Sequence, residues 1–377
     1  MAEAGAPAVA CELRGNHLYL EADAGAGRPL RFILETGAGM SCLDPSVARR
    51  LGLSTVSSEQ AAGAGARQVE VRVAALPSLR LPGLAVDNLN VALMPFESLW
   101  RKLGDRFDGL LGYDVLSRAV VEIDYEKPAV RFHDPTVFRH DGRGELLPLT
   151  LDMNLIHVAT TLVQDGRTIP ARLVIDTGAG GACGLFLAAP FVREHRLPGR
   201  GRKTLTPEVA GEGIGGAATA DVARIDELRL GGVALRDVIA FHSRDHGGVL
   251  ARPGWAGVIG TEVLRRFRVT IDYARSILAL EPTPGRNEAF HYDASGVSLE
   301  DDDGEGWRVT GVLADSPAAR AAVRRDDRIV AVDGRTARSV GLASLRAALS
   351  RPGAEVHLTL GRGGTTVEAK IVTARLI

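Results

Sequence analysis

Cysteine is scarce in this 377-residue chain. The three present, Cys11, Cys42 and Cys183, are too few and too scattered for a disulfide framework or a zinc site. Aromatic residues make up only 5% of the sequence, and 45 Lys and Arg nearly cancel 46 Asp and Glu. The net charge of −1 leaves no electrostatic footprint for nucleic acid or an anionic membrane surface. No apolar run is long enough to cross a bilayer. The opening residues, MAEAGAPAVACELRGN, lack the basic and apolar regions of a secretory signal, so the expected location is the cytoplasm. A Gly-x-Ser-x-Gly elbow, or any comparable serine-protease signature, is also missing. His242 and His246 stand four apart in FHSRDH without a helical pattern or a third ligand, and read as a solvated loop. The run DDDGEG at 301–306 is too short for a calcium loop and reads as an exposed turn. No metal or cofactor is expected.

What the chain does have is length for two or three cored domains, and a repeat. RFILETGAGMSCL (31–43) returns as RLVIDTGAGGACGL (172–185), with Glu35 in one copy where Asp176 stands in the other, and Cys seven places after each acid. FDGLLGYDVLSRAVVEIDY (107–125) matches WAGVIGTEVLRRFRVTIDY (255–273) without a gap, 148 positions on. Between these, DPSVARRLGL (44–53) resembles APFVREHRLPG (189–199), each with Pro where a short helix would begin. The order of elements is the same in both copies, which reads as one fold built twice.

Each copy reads mainly as strand. Alternating apolar and polar runs flank a turn at Asp165-Gly166, and the paired IDY segments read as closing hairpins, with Asp124 and Asp272 just before the turns. Gly- and Ala-rich spans at 61–66 and 211–216 read as flexible loops. Beyond 282 the pattern changes to a compact αβ module, in which SPAARAAV offers a Ser cap and Pro at the first helical position. The expected domains are 13–140, 141–284 and 291–377.

A carboxylate at the end of an apolar strand, followed by Thr-Gly-Ala-Gly, sits on a tight loop whose glycines permit close approach. If two such loops pack about a two-fold axis, the carboxyls meet and share a proton. One then activates a water while the other polarises a carbonyl, which suits amide hydrolysis without a covalent intermediate.

These residues carry a family resemblance. VIDTGAG with the downstream VIG (258–260), and ILETGAG with LLG (110–112), resemble the two halves of retropepsin-like aspartic peptidases. The resemblance implies two pseudo-two-fold-related β lobes with Glu35 and Asp176 as catalytic dyad. Thr36, Gly37, Thr177 and Gly178 would support the loops, and Gly63, Gly65, Gly213 and Gly215 would lie at flap tips. It also implies an endopeptidase acting on peptides or unfolded protein, complete as a monomer. The tail is similar to a bacterial-type PDZ domain, carried by SGVSLE, VLADSPAARAAV and RRDDRIVAVDG. That likeness implies a peptide groove between Gly296, Val297, Ser298 and Leu299 and a helix at 343–349.

Members of the peptidase family carry Asp in both loops. Glu35 extends its carboxylate roughly 1 to 1.5 Å further, and a misplacement of about 1 Å can cost about a hundredfold in rate. Two outcomes stay open: a dyad with shifted geometry, or a pseudo-protease that binds extended peptides without cutting them.

Overall fold

The expected hairpin at Asp165-Gly166 forms as its sequence dictates. In this computed structural model, which describes residues 6–63, 65, 67–207 and 209–377, Leu155–Gln164 pairs antiparallel with Arg167–Ile175, from His157↔Val174 to Gln164↔Arg167. Both turn residues have positive φ, 51° and 72°, as a two-residue hairpin turn with the right twist requires.

The molecule is mainly β. An eight-stranded sheet draws only on residues 12–111 and includes Leu30–Leu34, Gly109–Leu111, Cys42–Leu43, Leu84–Leu93, Val69–Leu81 and Thr55–Ala61. Within it Leu30–Leu34 runs parallel to Gly109–Leu111, which in turn lies antiparallel to Cys42–Leu43. A twelve-stranded sheet carries the same arrangement further along the chain. There Arg167–Ile175 runs parallel to Gly257–Ile259, itself antiparallel to Leu185–Leu187.

The two lobes are joined by their closing hairpins. Val120–Asp124 pairs antiparallel with Phe267–Asp272, so that Val121 faces Ile271, Glu122 faces Thr270 and Ile123 faces Val269. The aligned segments equate 121 with 269, 122 with 270 and 123 with 271. Exchange of the lobes therefore swaps the first and last pairs and returns the middle one to itself, so a pseudo-two-fold axis passes between Glu122 and Thr270. Asp124 caps its hairpin by accepting the Glu126 and Lys127 N–H groups, both at 3.0 Å. Asp272, fully buried, does the same for Arg275 N–H at 3.0 Å.

The short helices start where Pro and a cap place them: Pro45–Arg50 behind Asp44, Ala189–His195 with Pro190, and Pro317–Arg320 behind Ser316. His242 departs from its expectation. It is buried inside the strand Val233–Ser243, opposite Leu187 and Asp221, because the strand runs on past the apolar core into FHS. Burial pushes its imidazole down to about 4. His246 is exposed, as a loop residue would be.

The tail folds around its own core of Leu299, Trp307, Val309, Ile329, Leu345 and Leu358, separate from the core that spans the lobes. Its sheet runs in the order Val297–Asp301, Trp307–Val312, Arg328–Val332, Glu355–Arg362 and Thr365–Val372, which leaves Val297–Asp301 at an edge. Among the described residues, no helix is long and apolar enough to cross a membrane.

Candidate active site

Each acid loop begins where an apolar strand ends. Glu35 N–H donates to the Leu111 carbonyl and Asp176 N–H to the Ile259 carbonyl, both at 3.0 Å, so the parallel neighbour fixes the backbone of each acid. The threonines that follow are 1% exposed. Thr36 Oγ1 donates to the Ile175 carbonyl at 2.7 Å and accepts Thr177 N–H at 3.0 Å. Thr177 Oγ1 donates to the Leu34 carbonyl at 2.8 Å and accepts Thr36 N–H at 3.0 Å. Every one of these buried groups depends on the opposite loop, so neither loop can shift alone.

The glycines leave room for the acids. A Cβ built on Gly37 would lie 2.5 Å from Asp176 Oδ1, and one on Gly178 only 1.5 Å from Glu35 Oε2. Each carboxyl thus lies over the opposite loop, and the longer side chain presses closer. Gly37 N–H donates to Glu35 Oε1 at 3.1 Å. Gly178 and Ala179 N–H donate to Asp176 Oδ1 at 2.9 and 3.1 Å. Burial first, and the charge of the nearby Asp176 carboxyl second, hold Glu35 well above the usual carboxylate range. The pair keeps a proton where a lone glutamate would be ionised. Cys42 and Cys183 are buried just beyond the loops, and burial pushes the Cys42 thiol up to about 12.

Two residues that the sequence reading missed brace this arrangement. Asn16 and Asn154 sit in two-residue turns whose central residues have positive φ. Asn16 Nδ2 donates to the Gly181 carbonyl at 2.7 Å, and Asn154 Nδ2 to the Gly39 carbonyl at 3.3 Å. Each lobe therefore props the loop that follows the other lobe's acid. The signal was a Gly-Asn or Met-Asn pair between alternating strands. His17 was missed too: its ring packs on Gly180, where an added Cβ would come within 2.2 Å of Cε1, and burial lowers its pKa.

Above the acids two tips meet. Gly211–Gly213 and Gly216–Ala218 form a small hairpin whose tip includes Gly215. Gly65, between Thr55–Ala61 and Val69–Leu81, donates its N–H to the Ile214 carbonyl at 2.9 Å, and Gly63 accepts Val249 N–H at 3.1 Å. Ala64 and Ala66 of the expected first tip lie outside the described residues. The second tip is tied down by Glu212, which accepts from Ser98 and pairs with Lys102 at 2.9 Å. Those two residues belong to Glu97–Leu103, a helix the sequence reading did not anticipate. Its signals were an acid in the first turn, bases in the last and Gly104 in a left-handed cap.

Of the expected groove residues, Val297, Ser298 and Leu299 line one wall, and Ala343, Arg346 and Ala347 the other. Gly296 instead forms the turn before the strand, with φ of 80° and Ser316 Cβ 2.2 Å from where its own Cβ would lie, so only glycine fits. Among the described residues, no group of three or more His, Cys, Asp or Glu could hold a metal ion.

Two family models match parts of the chain. A model of the aspartyl protease family matches residues 21–115, and one of the PDZ domain matches residues 293–361. No curated protein matches the sequence. Among solved structures, basic 7S globulin from soybean is similar at 12% identity and a TM-score of 0.43, over 73% of this chain and 94% of that one. The chain carries a retropepsin-like aspartyl protease domain, matched over residues 21–115, and a C-terminal PDZ domain, matched over residues 293–361.

Proposed function

We propose that this chain is an aspartic endopeptidase in which two fused copies of one lobe supply Glu35 and Asp176 as the dyad, with the PDZ domain assisting substrate capture. The observation that carries the reading is the reciprocal threonine network, which seats each carboxyl over the opposite acid loop beneath two meeting tips. The raised Glu35 keeps the shared proton, and Asp176 acts as the base. A water between the carboxyls gives a proton to Asp176, and its oxygen attacks the peptide carbonyl carbon. The carbonyl oxygen takes the proton from Glu35, which forms a neutral tetrahedral diol. Collapse of the diol breaks the C–N bond as Asp176 returns its proton to nitrogen and a diol hydroxyl reprotonates Glu35. The tips would exclude bulk water and position the scissile bond.

Incubation with a mixed peptide library, with and without a statine-type inhibitor, tests the reading. Inhibitor-sensitive cleavage is the expected result. Saturable binding with every peptide intact would instead favour a pseudo-protease that holds extended chains.

A further inference from the structure

The PDZ groove and the cleft above the acids form one cavity of about 1660 Å³, lined by Val297 and Ala347 at one end and by Glu35, Asp176 and Ile214 at the other. A strand added along the groove can therefore continue into the cleft.

Grooves of this kind take a peptide by β-strand addition, and a free C-terminal carboxylate is captured by a nest of backbone N–H groups. In this chain the turn leading into the groove strand has no such donors to offer. Ser295 N–H donates to Asp293 Oδ1 at 3.0 Å and Gly296 N–H to Asp293 Oδ2 at 2.5 Å. Val297 N–H donates to Ser295 Oγ at 3.2 Å, and Ala294 N–H to the Leu349 carbonyl at 2.9 Å. The turn is also clamped from outside, because Ala318 and Leu313 N–H bond the Ser295 and Gly296 carbonyls, both at 2.8 Å. Ser295 is fully buried. An incoming carboxylate would meet a carboxyl already seated there and repel it.

The groove strand also packs against the lobe helix Glu97–Leu103, which an added strand must run beside. The Leu299 carbonyl is held by Arg346 Nη2 at 2.6 Å, from a flexible side chain on the helix Leu342–Leu349. The N–H of an added strand can take that place.

We infer that the groove accepts an internal segment of an extended, unfolded polypeptide, with no free C-terminus required, and delivers that same chain to the acid pair. The delivery half rests on the reading of the cleft as a peptide-cutting site; the recognition half does not.

The test uses the full chain carrying Asp176→Asn, which can bind without cutting. Random peptides of about 20 residues, spanning at most roughly 70 Å, are immobilised through either the N- or the C-terminus, so that one orientation displays a free carboxylate and the other none. The same sequences should be retained in both orientations, with affinities within about twofold. A photoreactive residue near one end of a retained peptide should crosslink to 297–299 or 343–347, and one near the other end to 211–216. A preference of about tenfold or more for the free carboxylate, crosslinks outside the groove, or no retention at all would each overturn the inference. Asp293→Ala frees two N–H donors and should create a carboxylate preference of about fivefold to tenfold. If that variant does not fold, the comparison of orientations on the unaltered turn still decides. Retention in both orientations, with the parent protein leaving every retained peptide intact, would sink the protease reading alone.

Discussion

Thr36 and Thr177 each accept the other's backbone N–H at 3.0 Å, and each hydroxyl then donates to a strand carbonyl of the opposite lobe. Neither has another partner of this kind within its own loop. The two halves of the site are thus a single hydrogen-bonded object rather than two loops that touch.

Replacing either threonine with valine keeps the shape but strands a buried N–H and a buried carbonyl. Each single change should cost about 2–4 kcal/mol, read from urea unfolding. The double variant should depart from the sum, because the four bonds belong to one network between the same two loops. Costs below about 0.5 kcal/mol would mean that the network contributes nothing to stability.

Turnover should follow the two carboxyls. Asp176→Asn should lower kcat at least about a hundredfold, and Glu35→Gln should do likewise, with the fold intact by circular dichroism. Glu35 Oε2 already reaches across to Gly178. Shortening it with Glu35→Asp withdraws the carboxyl from its partner and should lower kcat by about tenfold to a hundredfold. A faster Glu35→Asp enzyme would show that the lobe tolerates glutamate rather than uses it.

Stability should depend on pH through Glu35 with a definite sign. Its folded-state pKa lies above the unfolded value, with burial as the main cause. Its contribution is therefore fully present below the unfolded pKa and is lost as pH rises through the folded one. Glu35→Gln should raise Tm relative to the parent at pH 7 and leave the difference small at pH 4. Activity should fall over the same upward range as the shared proton leaves, with limbs that belong to the pair. An equal Tm gain at both pH values would remove the buried acid as its source.

The second tip should loosen when its anchor is cut. Lys102 and Glu212 are partly exposed, 23% and 18% at the side chain, so the pair is worth about 1 kcal/mol at most. Lys102→Met should speed amide exchange in 211–218 about twofold to fivefold, and leave the lobe cores unchanged. Exchange no faster than in the parent would show that Ser98 alone holds Glu212.

Much of this molecule was legible in order along the chain. The acid loops, the paired IDY hairpins, the Asp-Gly turn and the Ser-Pro helix start are local chemistry: strand alternation, turn residues and caps act over a few positions, and their spelling survives in sequence. The difference between Glu35 and Asp176 was legible too, as a change of reach. What the sequence could not convey lies across distance. That Asn16 props the loop after Asp176 and that Glu97–Leu103 holds the tip of the other lobe depend on surfaces brought together only when the lobes pack, and the burial of His242 on strands brought together within its own lobe. The same holds for Asp293. The residues from Gly296 to Leu299 read as one side of a peptide groove, but whether the N–H groups of the turn before it stay free depends on where the Asp293 side chain folds, and that is decided by burial against the rest of the domain.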